Sequence, residues 1–425
     1  MPQILPLRGL RYSTAAGSLS DLLAPPYDVI SSRQEQELRE RSPHNAIHLE
    51  LAEDTDDRYE RIAKRLQEWT GDGTLVRDET PQLYVYEQRF HYDGQQYARR
   101  ALLAGVEAQP WEEAAVRPHE YTMSGPKEDR LNLLKATKTQ FSPCFMIARD
   151  RAGQLQQFLD ETAANEPDAT GTTIDGEEHR LWAVEADTFM FRRLAPLLSE
   201  TFYIADGHHR YETAVNYRNW LLEQEGTLPK DHPARFTMTA IVPATDGGLV
   251  VRPIYRWVPE AAPSDWREKL EPVFEIGELD SMDEEKLLAT LGTAPNIFVA
   301  IGLEPGKVHT LTPRDGVDLA KLPGNQNSAE WAAVAPNLLR LAVLQPLWDM
   351  SDADLQAGRV EYLHDVPEVK EQVEQSGGKG VAFLLNPVRV DDVIALAEKG
   401  ERMPQKSTFF HPKLGTGLVF NPLYP

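Results

Sequence analysis

Two histidines and an arginine directly follow a glycine in the stretch TFYIADGHHRYETAVNY, residues 201–217. The glycine, Gly207, lets the backbone turn sharply or approach a ligand closely. The guanidinium of Arg210 can hold an anion with paired N–H donors, and a helix that begins beside such a turn points its own N–H groups into it. These residue types in this order predict a phosphate site, to which His208 or His209 would add a further donor.

A strand and a helix must hold this turn in place. Residues 202–204 are aromatic and β-branched, which suits a buried strand, and Asp206 with Gly207 is a turn signal. The chain from Arg210 onward continues as a helix with Ala214 on its buried side. The alternative is an ordinary strand–turn–helix whose histidines are solvated or structural. The residues by themselves leave both interpretations open.

A second group of chemically capable residues lies upstream, in RPHEYTMSGPKEDRLNLLKATK at 117–138. It brings His119, Glu120, Lys127 and Arg130 into a short span. The pattern predicts a helix over 127–138 that ends before Pro143. This stretch either contributes carboxylate and cationic groups to a site or forms a charged surface helix preceded by a loop.

A third group lies near the C-terminal end of the sequence. The segment 403–418 is basic in an otherwise acidic chain, with Lys406, Ser407, Thr408 and Lys413. Its aromatic and apolar content favours an ordered segment over a disordered arm. Lysine and hydroxyl groups suit a substrate carboxylate or a phosphate, so the segment is predicted to close over the same pocket. A structural hairpin with exposed lysines is the alternative.

Composition limits the possible functions. The 425 residues carry a formal charge of −22, with 41% hydrophobic and 26% charged residues, which is typical of a soluble protein of two or three domains. An acidic chain argues against nucleic-acid binding, which needs basic surfaces. The single cysteine, Cys144, excludes an internal disulfide and is expected to be a buried, inert thiol. No apolar run spans a bilayer and no signal pattern is visible, so we expect a cytoplasmic protein with no membrane partner.

Periodicity predicts the surrounding elements. A hairpin is expected around the Asp93-Gly94 turn, with Arg99 and Arg100 on the solvent face of its return strand. A second hairpin is expected around residues 246–248. Further predictions are helices over 32–42, 56–69, 264–294 and 328–350, and a strand followed by a helix over 381–398.

The segment ADGHHRYETA resembles the phosphate-binding turn of the ParB/sulfiredoxin superfamily, and its DGHHR form is most similar to the free-serine kinases of that superfamily. Those kinases also have an upstream P-H-E segment, matched here by 118–120. The whole chain resembles the DUF1015 family of bacterial and archaeal proteins. That resemblance is carried in order by APPYDVIS, PHEYT with PKEDRL, SPCF, ADGHHRYETA and MPQKSTFFHPKLGTGL.

The resemblance implies a mixed α/β fold, with a ParB/sulfiredoxin-like α+β nucleotide-binding core at 111–240 and flanking α/β regions at 1–110 and 241–425. It implies a kinase that uses ATP or ADP with Mg²⁺ to phosphorylate a small hydroxyl metabolite such as free serine. Glu120 would accept the hydroxyl proton, and His208 and His209 would assist transfer. Nucleotide would be held by Asp206, Gly207, His208, His209, Arg210 and Thr213, metal by Asp206, and substrate by His119, Lys127, Arg130, Lys406, Ser407 and Thr408.

Two other functions remain compatible with these residues. The turn would serve equally in a non-catalytic nucleotide switch, as in the ParB branch of the superfamily. His119, Glu120, His208 and His209 also have the side chains of a metal-dependent hydrolase, although no HExxH pattern is present. The spacing from Glu120 to Asp206 is longer than in the compact serine kinases, which implies an insertion between them.

Overall fold

The computed structural model describes residues 3–51, 53, 55–113, 115–121 and 125–424, without the side chains of 125–127, 188, 189, 191 and 356. The fold is mixed α/β, as predicted. The chain forms two compact units: unit 1 comprises 1–118, 123–250 and 412–425, and unit 2 comprises 119–122 and 251–411. The three regions expected from the sequence remain a prediction. Every helix among the described residues is too short or too polar to cross a membrane.

The strands are, in chain order, β1 Ile4–Leu5, β2 Leu10–Tyr12, β3 Leu75–Arg77, β4 Gln82–Tyr92, β5 Gln95–Glu107, β6 Val116–Arg117, β7 Thr139–Gln140, β8 Cys144–Ala148, β9 Ala169–Thr172, β10 Glu178–Glu185, β11 Phe202–Asp206, β12 Phe236–Pro243, β13 Val250–Arg252, β14 Tyr255–Val258, β15 Phe274–Leu279, β16 Phe298–Ile301, β17 Val308–Pro313, β18 Glu361–Leu363, β19 Val381–Leu385, β20 Phe409–His411 and β21 Asn421–Pro422.

The α-helices are α1 Leu19–Leu22, α2 Ser32–Arg41, α3 Ile47–Glu50, α4 Arg58–Gly71, α5 Gly125–Thr137, α6 Gln154–Ala163, α7 Thr188–Arg193, α8 His208–Glu225, α9 Trp266–Leu270, α10 Glu284–Leu291, α11 Ala329–Ala333, α12 Ala335–Leu339, α13 Gln345–Trp348, α14 Asp352–Gln356, α15 Val366–Gln375 and α16 Val390–Glu398. A π-helical turn, Arg340–Leu344, joins α12 to α13.

Unit 1 is built on a mixed sheet with the strand order β6-β11-β8-β12-β5-β4-β10-β9, to which β1 adds by pairing with β5. Strand β11 runs parallel to β6 and antiparallel to β8. A buried apolar cluster lies against this sheet and includes Phe202, Ile204 and Tyr211 from the β11–α8 segment. The strand before the predicted phosphate turn is therefore fixed by core packing and by ladders on both of its edges.

Unit 2 is built on a smaller sheet with the strand order β15-β17-β16-β19-β14-β18. Its described pairings are antiparallel. Large side chains from four of the strands, Trp257, Phe274, Phe298 and Phe383, are buried completely or nearly so. Unit 2 thus has an apolar core of its own.

The first predicted hairpin is confirmed, since β4 and β5 pair antiparallel with Tyr92 opposite Gln95 around the turn. The second hairpin is wrong. Both edges of β12 are occupied by β5 and β8, so β13 has no edge of β12 to pair with. The continuous helix expected over 264–294 is also wrong, because β15 separates α9 from α10. Long-range strand pairing overrides local periodicity at both places.

Candidate functional site

The predicted phosphate turn lies where β11 passes into α8. The register between β11 and β8 shifts between Ile204 and Asp206, and such a bulge re-aims the side chains beside it. Gly207 follows with φ 87° and ψ 28°, a left-handed conformation that favours glycine. No side chain caps the N-terminus of α8, so the first N–H groups of an 18-residue helix are left to other partners.

Asp206 lies between two cations. Its Oδ2 accepts a hydrogen bond of 2.6 Å from Arg210 Nη2, and its Oδ1 accepts one from Lys413 Nζ. Burial acts to raise the pKa of the Asp206 carboxyl, but the charges of Lys413 and Arg210 outweigh it and hold this pKa well below its usual range. Asp206 is therefore a carboxylate at any physiological pH, and its charge anchors both cations.

Arg210 folds back over the turn. Its Nη1 donates to the carbonyl oxygen of Pro143 at 2.5 Å. A Cβ atom at position 207 would lie 3.1 Å from Arg210 Nε, so glycine is needed there for space as well as for conformation. Cys144 lies behind the turn, with its Sγ 3.6 Å from the carbonyl oxygen of Gly207. Burial raises the pKa of this thiol, in agreement with the expected inert cysteine.

Lys413 is held in place by groups that the sequence did not suggest. Arg99 Nη2 donates to the carbonyl oxygen of Pro412 at 2.5 Å, and Gln88 Nε2 donates to the carbonyl oxygen of Lys413 at 2.8 Å. The predicted solvent-facing role of Arg99 is wrong, because this side chain is only 1% exposed. Burial lowers the pKa of Arg99 to about 10. An arginine in a β-strand gives no sequence signal that a distant carbonyl will pair with it.

The histidines and Thr213 lie on the first turns of α8. His208 is buried, and its charge contributes to the low pKa of Asp206. His209 is half-buried. Thr213 is 4% exposed, and its Oγ1 has no hydrogen-bond partner among the described residues. Its side chain lines a cavity of about 60 Å³ together with Arg130 and Arg210.

Arg130, on α5, lines the same cavity and is held there by contacts with neighbouring residues. Its guanidinium pairs with Asp129, donates to the carbonyl oxygen of Glu50 at 2.8 Å, and lies 4.4 Å from the ring centre of Tyr27. Burial raises the pKa of Tyr27 to about 12, and it also raises the pKa of the Glu50 carboxyl. Lys127 begins the predicted helix, but its side chain lies outside the described part of the chain.

Glu120 belongs to unit 2, where it is held by the basic segment. Its Oε1 accepts hydrogen bonds from the backbone N–H of Ser407 at 3.2 Å and of Thr408 at 2.9 Å, and a third from Thr408 Oγ1 at 2.9 Å. A backbone bridge between Glu120 and Met403 aligns the two segments. Three donors on one oxygen fix the orientation of this carboxylate.

His119 completes this arrangement. It is fully buried, and its Nε2 lies 2.9 Å from Thr408 Oγ1 and 3.4 Å from Glu120 Oε1. Because the single hydroxyl proton of Thr408 is donated to Glu120, the bond from His119 requires a proton on Nε2. His119 thus supports Thr408 and Glu120. The predicted residues His119, Glu120, Ser407 and Thr408 are brought together.

Lys406 stands at the tip of the same segment. It is an exposed residue with a positive φ of 58°. Its carbonyl oxygen accepts a hydrogen bond of 2.8 Å from Nη2 of Arg256, a buried residue that the sequence interpretation passed over. Burial lowers the pKa of Arg256, whereas Tyr362 and Glu120 act to raise it. Arg256 therefore fixes the loop that presents Ser407 and Thr408 to Glu120.

The contacts of Asp206 argue against the predicted metal site. Both oxygens of Asp206, the predicted Mg²⁺ ligand, have cationic partners, Arg210 and Lys413. Among the described residues no group of three or more histidine, cysteine, aspartate or glutamate side chains is placed to hold a metal ion. The arrangement does not fit a resident metal. It can hold an anion in unit 1, at the turn, and it presents an oriented carboxylate in unit 2.

Comparisons with known proteins give a family and distant structural similarities. The family model described as "Protein of unknown function (DUF1015)" matches residues 4–329. No curated protein matches. The chain is similar to a conserved hypothetical protein from Pyrococcus furiosus at 16% identity and a TM-score of 0.30, covering 72% of this chain and 92% of that one.

Two further solved structures are similar to the chain. For a free serine kinase in complex with AMP the identity is 14% and the TM-score 0.34, with 72% and 89% of the two chains covered. For C-terminally truncated SbnI from Staphylococcus aureus the identity is 11% and the TM-score 0.36, with 76% and 87% covered. Similarities this distant do not assign an activity.

Proposed function

Because the chain belongs to the DUF1015 family, whose description names no reaction, we propose from its own geometry that it is a nucleotide-dependent kinase acting on a small hydroxyl metabolite. The turn at the start of α8 is the proposed nucleotide site, and Glu120 is the proposed base. Free serine is the first acceptor to try, on the resemblance of the DGHHR turn to that of the serine kinases. We propose a cytoplasmic enzyme whose partners are the nucleotide and the acceptor.

The observation that carries this proposal is the turn at the start of α8. Its uncapped helix N-terminus follows a left-handed glycine, and Arg210 and Lys413 lie beside it on the carboxylate of Asp206. Backbone N–H groups, a helix dipole and two cations are the features that bind phosphate groups in proteins. We assign the nucleotide phosphates to this turn, with His208, His209 and Thr213 as further donors.

In the transfer step Glu120 accepts the proton of the acceptor hydroxyl. The hydroxyl oxygen then bonds to the terminal phosphorus of ATP or ADP, and the bond from that phosphorus to the leaving nucleotide breaks. Phosphoryl transfer depends mainly on positioning and charge neutralisation, with a base to orient the nucleophile. His119, Ser407 and Thr408 hold the carboxylate. Any Mg²⁺ would arrive on the nucleotide phosphates, since this ion keeps waters and few protein ligands.

Nucleotide binding is tested first, by thermal unfolding of the whole chain with ATP, ADP, CTP and GTP, each with Mg²⁺. A ligand at about 100 times its Kd adds about 2.7 kcal/mol to the free energy of unfolding, which is readily seen. We expect one nucleotide to stabilise the wild type and the control Arg61→Ala, whose arginine is 44% exposed, but not Arg210→Ala. If nucleotide stabilised Arg210→Ala as much as the wild type, the assignment of the phosphates to this turn would be wrong.

The base is tested with Glu120→Gln, which keeps an oxygen to accept the bonds from Ser407 and Thr408. General-base catalysis contributes about 10²–10⁴-fold, so kcat should fall by that factor while the nucleotide Kd is unchanged. The readout is acceptor-dependent consumption of the nucleotide that binds. Unaltered turnover in Glu120→Gln would show that another group takes the proton.

The same experiments separate the two alternative functions. A non-catalytic nucleotide switch predicts binding that depends on Arg210 and no acceptor-dependent turnover with any hydroxyl compound. A metal-dependent hydrolase predicts a stoichiometric metal in the purified protein. Elemental analysis checks that prediction.

A further inference from the structure

A cavity of about 490 Å³ lies wholly within unit 2. Its wall is mostly polar, with guanidinium groups from Arg340 and Arg402 and side-chain amides from Gln326, Asn327 and Gln405. Its volume is within the range of about 300–1,000 Å³ found for pockets that enclose small molecules. Such pockets usually have mainly apolar walls, so the abundance of amides and guanidinium groups here points to a polar ligand.

The walls of the cavity are fixed to one another by hydrogen bonds. Trp331 Nε1 donates to the carbonyl oxygen of Arg402 at 2.9 Å, and Ser328 Oγ donates to Glu401 Oε2 at 2.7 Å. These bonds join α11 and its N-cap residue to the segment after α16. The cavity is therefore preformed, which lowers the entropic cost of binding.

The two cations of the cavity are positioned in different ways. Arg340 is the first residue of the π-helical turn, a rare conformation that is frequent at functional sites. Its Nη2 donates to Asp352 Oδ2 at 2.7 Å. Arg402 lies 5.7 Å from the ring centre of Tyr121, which is 54% exposed. With one lining carboxylate against two guanidinium groups, the wall carries a net positive charge in a strongly acidic chain.

The cavity shares its walls with the segments that hold Glu120. Tyr121 follows Glu120 directly, and its backbone N–H lies 3.4 Å from the carbonyl oxygen of Met403. Gln405 stands two residues before Ser407, which donates to the Glu120 carboxylate. The backbone that orients the proposed base therefore also shapes the cavity.

We infer that this cavity binds the hydroxyl acceptor, and that the acceptor is an anionic polyhydroxy compound larger than free serine. The role of this ligand as the phosphoryl acceptor rests on the proposed function. Serine has a three-carbon skeleton and would leave most of the cavity unfilled. The guanidinium groups suit a carboxylate or phosphate, and the amides suit several hydroxyl groups, because each amide offers both donors and an acceptor.

Titration calorimetry of the whole chain, without nucleotide, tests this inference with gluconate, glucose 6-phosphate, neutral glucose and serine. We expect a polyol anion to bind, glucose not to bind, and serine to bind more weakly. Tighter binding of gluconate would indicate that the cavity recognises a carboxylate, and tighter binding of glucose 6-phosphate would indicate a phosphate. Arg402→Met should weaken binding of the anion by about tenfold or more. The matched control Arg389→Met, at an arginine that is 70% exposed, should not.

Gln326→Glu is a second variant, because an exposed wall residue tolerates replacement and the new charge should repel an anion. The inference is overturned if neither anion binds, if affinity is the same in both wall variants as in the wild type, or if serine binds as tightly as the anions. Failure of the proposed function is distinguishable: it would appear as anion binding that depends on Arg402 without any turnover. Conversely, if wild type and Arg402→Met phosphorylated serine equally well, the protein would be a kinase but this cavity would not be its acceptor site.

Discussion

At the scale of single residues, unit 1 is organised around a buried carboxylate rather than around the histidines beside it. Asp206 pairs with Arg210, four residues later in the chain, and with Lys413, which is more than 200 residues away in sequence. A pair of cations needs such a partner when buried, because unpaired charges are costly to remove from water. The Asp206 carboxylate is therefore expected to preorganise the cations for phosphate rather than to hold a metal.

Replacement of this carboxylate tests its role. Asp206→Asn leaves two cations without a countercharge, and breaking a buried ion pair in this way costs about 3–5 kcal/mol of the free energy of unfolding at pH 7. Because the folded-state pKa of Asp206 is depressed, its contribution is complete above the unfolded value of about 3.9 and is lost as the pH falls below it.

Urea unfolding of wild type and Asp206→Asn between pH 7 and pH 3 gives the measurement. The gap between the unfolding free energies of the two proteins should be constant down to about pH 5 and shrink below about pH 4. Asp160→Asn, at a residue that pairs with Arg100 and is 48% exposed, is the surface control and should have a much smaller effect. A gap that widened on acidification would contradict the assigned direction of the pKa shift.

At the scale of elements, strand β11 and helix α8 place the donors of unit 1. The strand is buried and paired on both edges, and the helix is flanked by two glycines with a positive φ, Gly207 and Gly226. The two glycines share a positive φ, 87° and 75°, but differ in ψ and in surroundings. A Cβ atom on Gly207 would meet Arg210, whereas a Cβ atom on Gly226 would have nothing within 4 Å.

That difference makes a matched pair of variants. Gly226→Ala should cost about 1–2 kcal/mol for the left-handed backbone and leave the nucleotide Kd unchanged. Gly207→Ala also bears a cost for its positive φ and in addition displaces the Arg210 guanidinium, so it should bind nucleotide more weakly. Denaturant unfolding and nucleotide titration of both variants provide the comparison. If the two variants bound nucleotide equally well, the position of Arg210 would not matter for binding.

At the scale of the whole molecule, the chain consists of two units, each with its own sheet and core. The family match ends at residue 329, so the C-terminal segment 403–418, which resembles the family by its sequence, lies beyond the matched range. That segment nevertheless supplies Ser407 and Thr408 in unit 2 and Lys413 in unit 1. We therefore expect a truncation at residue 329 to lose these contacts.

The net charge of the molecule leads to a prediction about its partners. A chain with a formal charge of −22 repels a polyanion, and it lacks the excess of cations that counterion release requires. We expect no binding to labelled duplex DNA or single-stranded RNA in fluorescence anisotropy at about 150 mM salt. Binding whose affinity fell steeply with added salt would overturn this expectation and favour a nucleic-acid role.

The sequence by itself determined the local units of this protein. The Asp206-Gly207 turn, the strand before it and the helix after it were all predictable, because a turn signal and two periodicities lie within a few residues of one another. The first hairpin was predictable for the same reason. The resemblance of motifs also indicated the grouping of Glu120 with a nucleotide turn, which remains a proposal.

Only the tertiary structure decided which distant groups meet. It placed Lys413 on Asp206, buried Arg99 against Pro412, and set Thr408 between His119 and Glu120. It also has strands with long-range pairing where the sequence predicted a second hairpin and a long helix. Such contacts depend on loop closure and on burial of polar groups that must then find partners, and neither leaves a local pattern in the sequence.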